Sequence, residues 1–138
     1  MKRRTRHCVP MTYGPKVDAV FDGGCRQTIR MGRRYAVGDT VTFFEWTGKP
    51  YRSPWGRRVV VKLTFIADIK LRPDGMAWNV DGRPGKRAVW QTEPWESAFC
   101  DRVAKRDGID PPTGAELKRV LESFHGPLTG QAAQVLRW

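Results

Sequence analysis

Hydrophobic and polar positions follow two rhythms along this chain. An alternating, strand-like rhythm dominates up to about Gln91, and a helical one takes over beyond it. The alternating part is interrupted early. Cys8 to Met11 predicts a short first strand. After Gly14 and Pro15, Val17, Val20 and Phe21 fall at i, i+3 and i+4, the stripe of a brief helix that Gly23-Gly24 stops. Gln27 to Arg30 predicts a short strand in which Ile29 faces the core while Thr28 and Arg30 face out together. Arg33 and Arg34 mark a basic loop, and the Gly38-Asp39 turn leads into a strand from Val41 to Trp46. That strand carries Val41, Phe43 and Glu45 on one face and Thr42, Phe44 and Trp46 on the other. Aromatics on both faces predict cover on both sides, or one side stacked on a ligand.

The longest alternation runs from Arg58 to Leu71, with Val59, Val61, Leu63, Phe65, Ala67 and Ile69 on one face. Such a length predicts a bent strand in a small barrel. Pro73-Asp74-Gly75 is a turn, Ala77 to Val80 a hairpin return, and Asp81 to Gly85 a loop. The helical rhythm then begins. Pro94 suits a helix first turn, Trp95, Phe99 and Val103 recur at spacing four, and Gly108 stands where a helix C-terminal glycine belongs. Thr113-Gly-Ala-Glu116 reads as a capping box ahead of Leu117, Val120, Leu121 and Phe124, and Gly126 ends that helix. Gln134 to Trp138 predicts a last strand returning to the sheet. The fold class is α+β: a mainly antiparallel sheet or small barrel with a short early helix and a late helical pair. With no repeat and no linker, residues 1–7 form a basic flexible tail and residues 8–138 a single domain.

Charge adds direction to this picture. The chain has 138 residues, 40% hydrophobic and 11% aromatic, enough for a core, and a formal net charge of +11. From Met1 to Lys62 there are 14 Lys and Arg against 4 Asp and Glu; the remainder holds 11 against 10. A basic half beside a neutral one is the footprint of a polyanion-facing surface, with RNA, single-stranded nucleic acid or nucleotides as partners. Within Gly23 to Ser53, arginines, hydroxyls and aromatics recur at two strand ends that a twisted sheet can gather around one cleft. Arg26, Arg30, Arg33, Arg34, Lys49, Arg52 and Ser53 are the candidates for phosphate and polar contacts, and Trp46 and Tyr51 for stacking a base.

Cys8, Cys25 and Cys100 form no CxxC pair, and His7 and His125 complete no zinc spacing, so free thiols, no metal and no cofactor are expected. No apolar run is long enough for a signal peptide or a membrane span, which predicts a cytoplasmic protein without a membrane partner. Amide hydrolysis needs a nucleophile, a base and donors for the oxyanion. Thr28 is a nucleophile if a base lies beside it. Cys25 is intrinsically better, with Arg26 nearby to favour the thiolate. His125 reads as a lone surface histidine.

An ordered series of pieces resembles the ASCH domain family of the PUA-like superfamily. It comprises the apolar helix, Gly23-Gly24 leading into Gln27-Thr28-Ile29-Arg30, Val37-Gly38-Asp39 before a strand, and Trp46 to Ser53. Arg106-Asp107-Gly108-Ile109, the helix from Glu116 to Phe124 and Val135 to Trp138 continue it. The resemblance implies a barrel whose cleft, between the TIR strand and a helical insertion, binds RNA or a modified nucleoside. It also implies relatives that remove the acetyl group from N4-acetylcytidine with a lysine three residues before the TIR threonine, that threonine, and an acid shortly before the last helix. On this sequence Thr28 matches the threonine and Asp110 falls near the acid, but the lysine position is Cys25, and Arg26 stays protonated and points to the other face. Three readings follow: an RNA-binding module, a hydrolase in the same cleft (amidohydrolase or ribonuclease), and an interaction domain with an incidental basic face. The missing lysine favours binding and predicts no turnover of N4-acetylcytidine.

Overall fold

The alternation from Arg58 to Leu71 breaks at Leu63-Thr64, and its two halves belong to different sheets. In the computed structural model, which describes residues 5–79 and 90–138, the elements in order are β1 (Arg6–Pro10), α1 (Gly14–Asp22), β2 (Gln27–Met31), β3 (Thr40–Trp46), β4 (Trp55–Lys62), β5 (Phe65–Leu71), β6 (Gly75–Asn79), β7 (Trp90–Pro94), α2 (Ala98–Arg106), α3 (Gly114–His125) and β8 (Gln131–Arg137). One sheet has the order β1-β3-β4, the other β2-β8-β5-β6-β7. All pairs are antiparallel except β1 with β3. The α+β class and the early and late helices are those expected, but the two sheets do not close into a barrel.

The cause of the break is visible in the backbone. The Leu63 N–H donates to the Asp39 carbonyl (2.9 Å) and the Leu63 carbonyl accepts from Gly38, both in the turn before β3. The very next N–H, of Thr64, donates to Arg137 at the end of β8 (2.9 Å). Two successive residues thus serve different sheets. Leu63 fills the core between them, whereas Phe65, expected on the same buried face, is exposed.

Strand β8 has a buried side chain at every position from Ala133 to Leu136 because a core lies on each of its faces. On one side Ala133 and Val135 meet Ile29, Ile69, Leu71 and the apolar stripes of α2 and α3. On the other, Leu136 packs with Val9, Val20, Val41, Phe43 and Leu63. Two cores against one strand bury the apolar surface that drives folding. Strand β1 takes in Arg6 and His7, assigned above to the tail, by pairing them with Thr40 and Val41. Asp39 anchors that pairing by accepting from Thr5 N (3.2 Å), Ala36 N (3.0 Å) and His7 Nε2 (2.9 Å). Burial pushes the Asp39 carboxyl up, but these hydrogen bonds outweigh it and hold the group below the usual carboxylate range.

The helical pair begins later than the sequence suggests. Pro94 ends β7 instead of opening a helix, and Ser97 caps α2 by accepting from Cys100 N (3.2 Å). Thr113 caps α3 by accepting from Glu116 N, as expected, but the Glu116 carboxylate turns to Arg119 and leaves the box half made. The hairpin return is β6, described as far as Asn79; the loop expected over residues 81–85 lies outside the described residues.

Gly114, the first residue of α3, donates to Asp101 Oδ1 (2.8 Å) and lies so close to Trp95 that a Cβ would overlap the Trp95 carbonyl and meet Cys100 Cβ at 2.7 Å. Both neighbours are fully buried. Gly114→Ala therefore destabilises the fold by about 3 kcal/mol, the upper end of overpacking, whereas helix propensity alone favours alanine by about 1 kcal/mol. Urea denaturation of the variant reads the sign directly.

Candidate active site

Sequence spacing puts the site on β2 and its flanking loops; the fold adds α1 and the end of α2. Lys16 lies in the first turn of α1 on the same side as Val20, one helical turn on, and is only 4% exposed. Its Nζ donates to Thr28 Oγ1 (3.0 Å) and pairs with Asp107 Oδ2 (3.1 Å). Thr28 is 2% exposed and Asp107 5%. Lys16, twelve residues before the threonine, thus places a buried amine against Thr28, and the acid beside it is Asp107, whereas Asp110 is exposed.

Each member is fixed by local structure. Thr28 pairs with Leu136 in the β2–β8 register, and its neighbour Gln27 reaches from the strand to Val103 O (3.1 Å) and Asp107 Oδ1 (3.5 Å). Asp107 is the C-cap of α2, its N–H donating to Val103 O (3.0 Å). The chain then turns through Gly108 at φ +75°, a backbone geometry that suits glycine. That glycine also lets the end of α2 approach α1: a Cβ there would stand 3.3 Å from Cys25 Sγ and 3.5 Å from Lys16 Cγ.

Burial pushes the Asp107 carboxyl above its ordinary value, opposed by Lys16 and by the hydrogen bonds from Lys16 and Gln27. The carboxylate lies 3.1 Å from the Lys16 amine, so the two form a buried pair with little water to screen it. Cys25, a nucleophile candidate on sequence grounds, is only 3% exposed. Burial pushes its thiol up and its Sγ donates to the carbonyls of Gln27 (3.4 Å) and Arg106 (3.5 Å), so it stays a neutral, packed side chain.

Lys16, Thr28 and Asp107 line a cavity of about 270 Å³, with Tyr13, Arg30 and His125 among the other walls. This is just below the range of roughly 300–1,000 Å³ for small-molecule sites and suits a single nucleobase-sized group. Arg30, two residues along β2 from Thr28, points to the same face. Its Nη2 donates to Pro10 O (3.4 Å) and lies 3.0 Å from Met11 Sδ, while its Nε is buried with no hydrogen-bond partner. A half-buried guanidinium with a spare donor lining the same cavity as Thr28 is suited to a carbonyl oxygen that gains negative charge. His125, the last residue of α3, also lines the cavity; burial and the charge of Arg30 hold its imidazole below the ordinary value, so it is neutral at pH 7.

The remaining expected site residues lie elsewhere. Arg33 pairs with Asp68 at 3.7 Å and sits over the Trp90 ring, and Arg34 sits over Tyr35. Trp46 packs edge-on against Phe44 and against Tyr51, which is 87% exposed at the β3–β4 connection with Lys49, Arg52 and Ser53. None of these seven lines the Lys16–Thr28–Asp107 cavity, so the single cleft inferred from the two strand ends is not formed. Lys16 is legible in principle: a lysine four residues before Val20 on an apolar stripe must either snorkel or find a buried partner.

No family model, curated protein or solved structure matches this chain. The described residues contain no group of three or more His, Cys, Asp or Glu able to hold a metal ion and no helix long and apolar enough to cross a membrane.

Proposed function

We propose that this chain is a small PUA-like amidohydrolase of the ASCH kind that removes an acyl group from the exocyclic amine of a modified nucleobase, with N4-acetylcytidine as the representative substrate. The observation that carries this reading is the buried contact of Lys16 Nζ with both Thr28 Oγ1 and Asp107 Oδ2. A desolvated amine held against a hydroxyl and a carboxylate, at the wall of a cavity, is the arrangement in which a lysine can act as base.

In the reaction, the proton shared by Lys16 and Asp107 moves to the carboxylate and leaves a neutral amine. That amine takes the Thr28 proton as Oγ1 bonds to the amide carbon. The carbonyl oxygen becomes an oxyanion beside the Arg30 guanidinium. The C–N bond then breaks, and Lys16 returns the proton to the departing nucleobase amine. Water next attacks the threonyl ester with Lys16 again as base, which releases the carboxylic acid and restores Thr28. The basic excess of the first half of the chain favours RNA or its nucleosides as the carrier of such a base.

Purified protein incubated with N4-acetylcytidine, with cytidine followed by chromatography, tests this reading. Turnover is expected to rise with pH along an acid limb that lies above the ordinary carboxylate range, because protonating Asp107 leaves Lys16 no acceptor. Absence of turnover between pH 5 and 9, with cytidine or RNA still bound, returns the cavity to a binding function.

A further inference from the structure

A second cavity, of about 470 Å³, lies on the other side of Gln27 from Lys16, Thr28 and Asp107. Arg26, Lys105, Arg106 and Arg137 line it, with Phe65 and Trp138 as aromatic walls. Among the described residues no carboxylate pairs with any of the four cations. Elsewhere on this protein exposed arginines do find acids: Arg57 bonds both Glu45 and Asp18, and Arg119 bonds Glu116. Four like charges gathered without counter-charge repel one another and constitute an anion site.

The chemistry of the cluster narrows the anion. Arg137 is held in place from behind, its Nε donating to Gln27 Oε1 (2.9 Å) and its guanidinium lying 4.6 Å from the Phe65 ring centroid. That anchoring uses Nε and the guanidinium face, and the terminal nitrogens make no hydrogen bond among the described residues. Arg26 enters from the foot of β2, and Lys105 and Arg106 from the last turn of α2, so donors converge from three elements. Burial and the nearby Arg106 charge both draw the Arg137 proton affinity down, as expected of a cation lacking an acid. Guanidinium forks pair bidentately with phosphate oxygens, the charge and oxygen count of a phosphate answer several converging cations better than one carboxylate does, and Trp138 offers an aromatic surface for an adjoining base.

We propose that this cavity is a phosphate-binding site, which takes the phosphate of a nucleotide or of an RNA backbone. The binding stands independently of the amidohydrolase reading. Gln27, whose amide meets Arg137 on one side and Asp107 on the other, makes the two sites neighbours without making them one.

Titration calorimetry with inorganic phosphate, cytidine 5′-monophosphate, unmodified cytidine and a short single-stranded RNA tests the site at low salt. An Arg26→Glu/Lys105→Glu variant is the comparison; both residues are exposed and apart from the Lys16–Thr28–Asp107 cavity. Wild-type protein is expected to bind phosphate and the nucleotide, and the variant to bind each at least tenfold more weakly with its affinity for cytidine unchanged. If RNA affinity falls in parallel and the slope of log K against log salt shrinks by about 0.7 for each phosphate no longer neutralised, the natural source is the backbone; if RNA affinity is unchanged, it is the free nucleotide. Equal phosphate affinity in the two proteins overturns the proposal, as does failure of all three phosphate-bearing ligands to bind. Should charge reversal unfold the chain, Arg26→Gln/Lys105→Gln serves in its place with the same criteria. Hydrolysis of N4-acetylcytidine is scored separately, so loss of either activity identifies which reading has failed.

Discussion

Thr28→Ala is expected to abolish turnover of N4-acetylcytidine, with a loss in kcat on the order of 10⁴ to 10⁶, the scale seen when a nucleophile that works with a paired base is removed. The substitution deletes the hydroxyl that Lys16 holds at 3.0 Å while leaving the strand pairing of Thr28 with Leu136 in place. Affinity for cytidine should therefore change little, and Thr28→Ser should retain measurable activity because it keeps the oxygen. Single-turnover chromatography with acid quench separates the chemical step from binding. Activity retained in Thr28→Ala would move the nucleophile to a water held by Lys16, and activity lost in Cys25→Ser alone would return it to the thiol.

The largest stability effect is expected at the same place. Lys16 and Asp107 form a buried ion pair, and removing one partner strands the other. Lys16→Met or Asp107→Leu alone should each cost about 3–5 kcal/mol, whereas the double substitution should recover most of that loss or exceed the wild type. A double-mutant cycle by urea denaturation measures the coupling; strictly additive single effects would show that the pair contributes no mutual interaction. The Lys16→Met variant has a further signature. With its amine partner gone, the Asp107 carboxyl, already raised by burial, rises further above its unfolded value. In that variant the destabilisation due to Asp107 is thus absent at acid pH, where the group is neutral in both states, and grows as pH increases toward the folded value.

Much of the fold is legible in the sequence because local signals agree with tertiary demands. The i, i+3, i+4 stripe and glycine stop of α1, the threonine cap of α3 and the positive-φ Gly108 are written in adjacent residues. The division of residues 58–71 is not, since a period of two persists while the chain changes sheets; the deciding bonds come from Gly38, Asp39 and Arg137, distant in sequence. The site is only half legible for the same reason. Thr28 and Arg30 are a local pair on one strand face, which alternation alone identifies. Lys16 belongs to a different element, and counting back from the last helix arrives at Asp110 because it cannot tell which acid the C-cap turns inward. Trp46 and Tyr51 have the composition of a stacking site but lie at the end of β3 and in the β3–β4 connection, where they pack on one another.

The position of β8 has a kinetic consequence. It lies between β2 and β5, and residues more than a hundred apart, Gln27 and Arg137, are register partners. Until those last residues join, β2 and β5 each present an unpaired edge, Thr28 has no strand to hold it, and neither core is sealed. Such long-range closure is slow relative to helix formation, and open edges invite association with other chains. Folding of this protein is accordingly expected to be late, to hinge on capture of its final strand, and to be most vulnerable to aggregation in the interval before it.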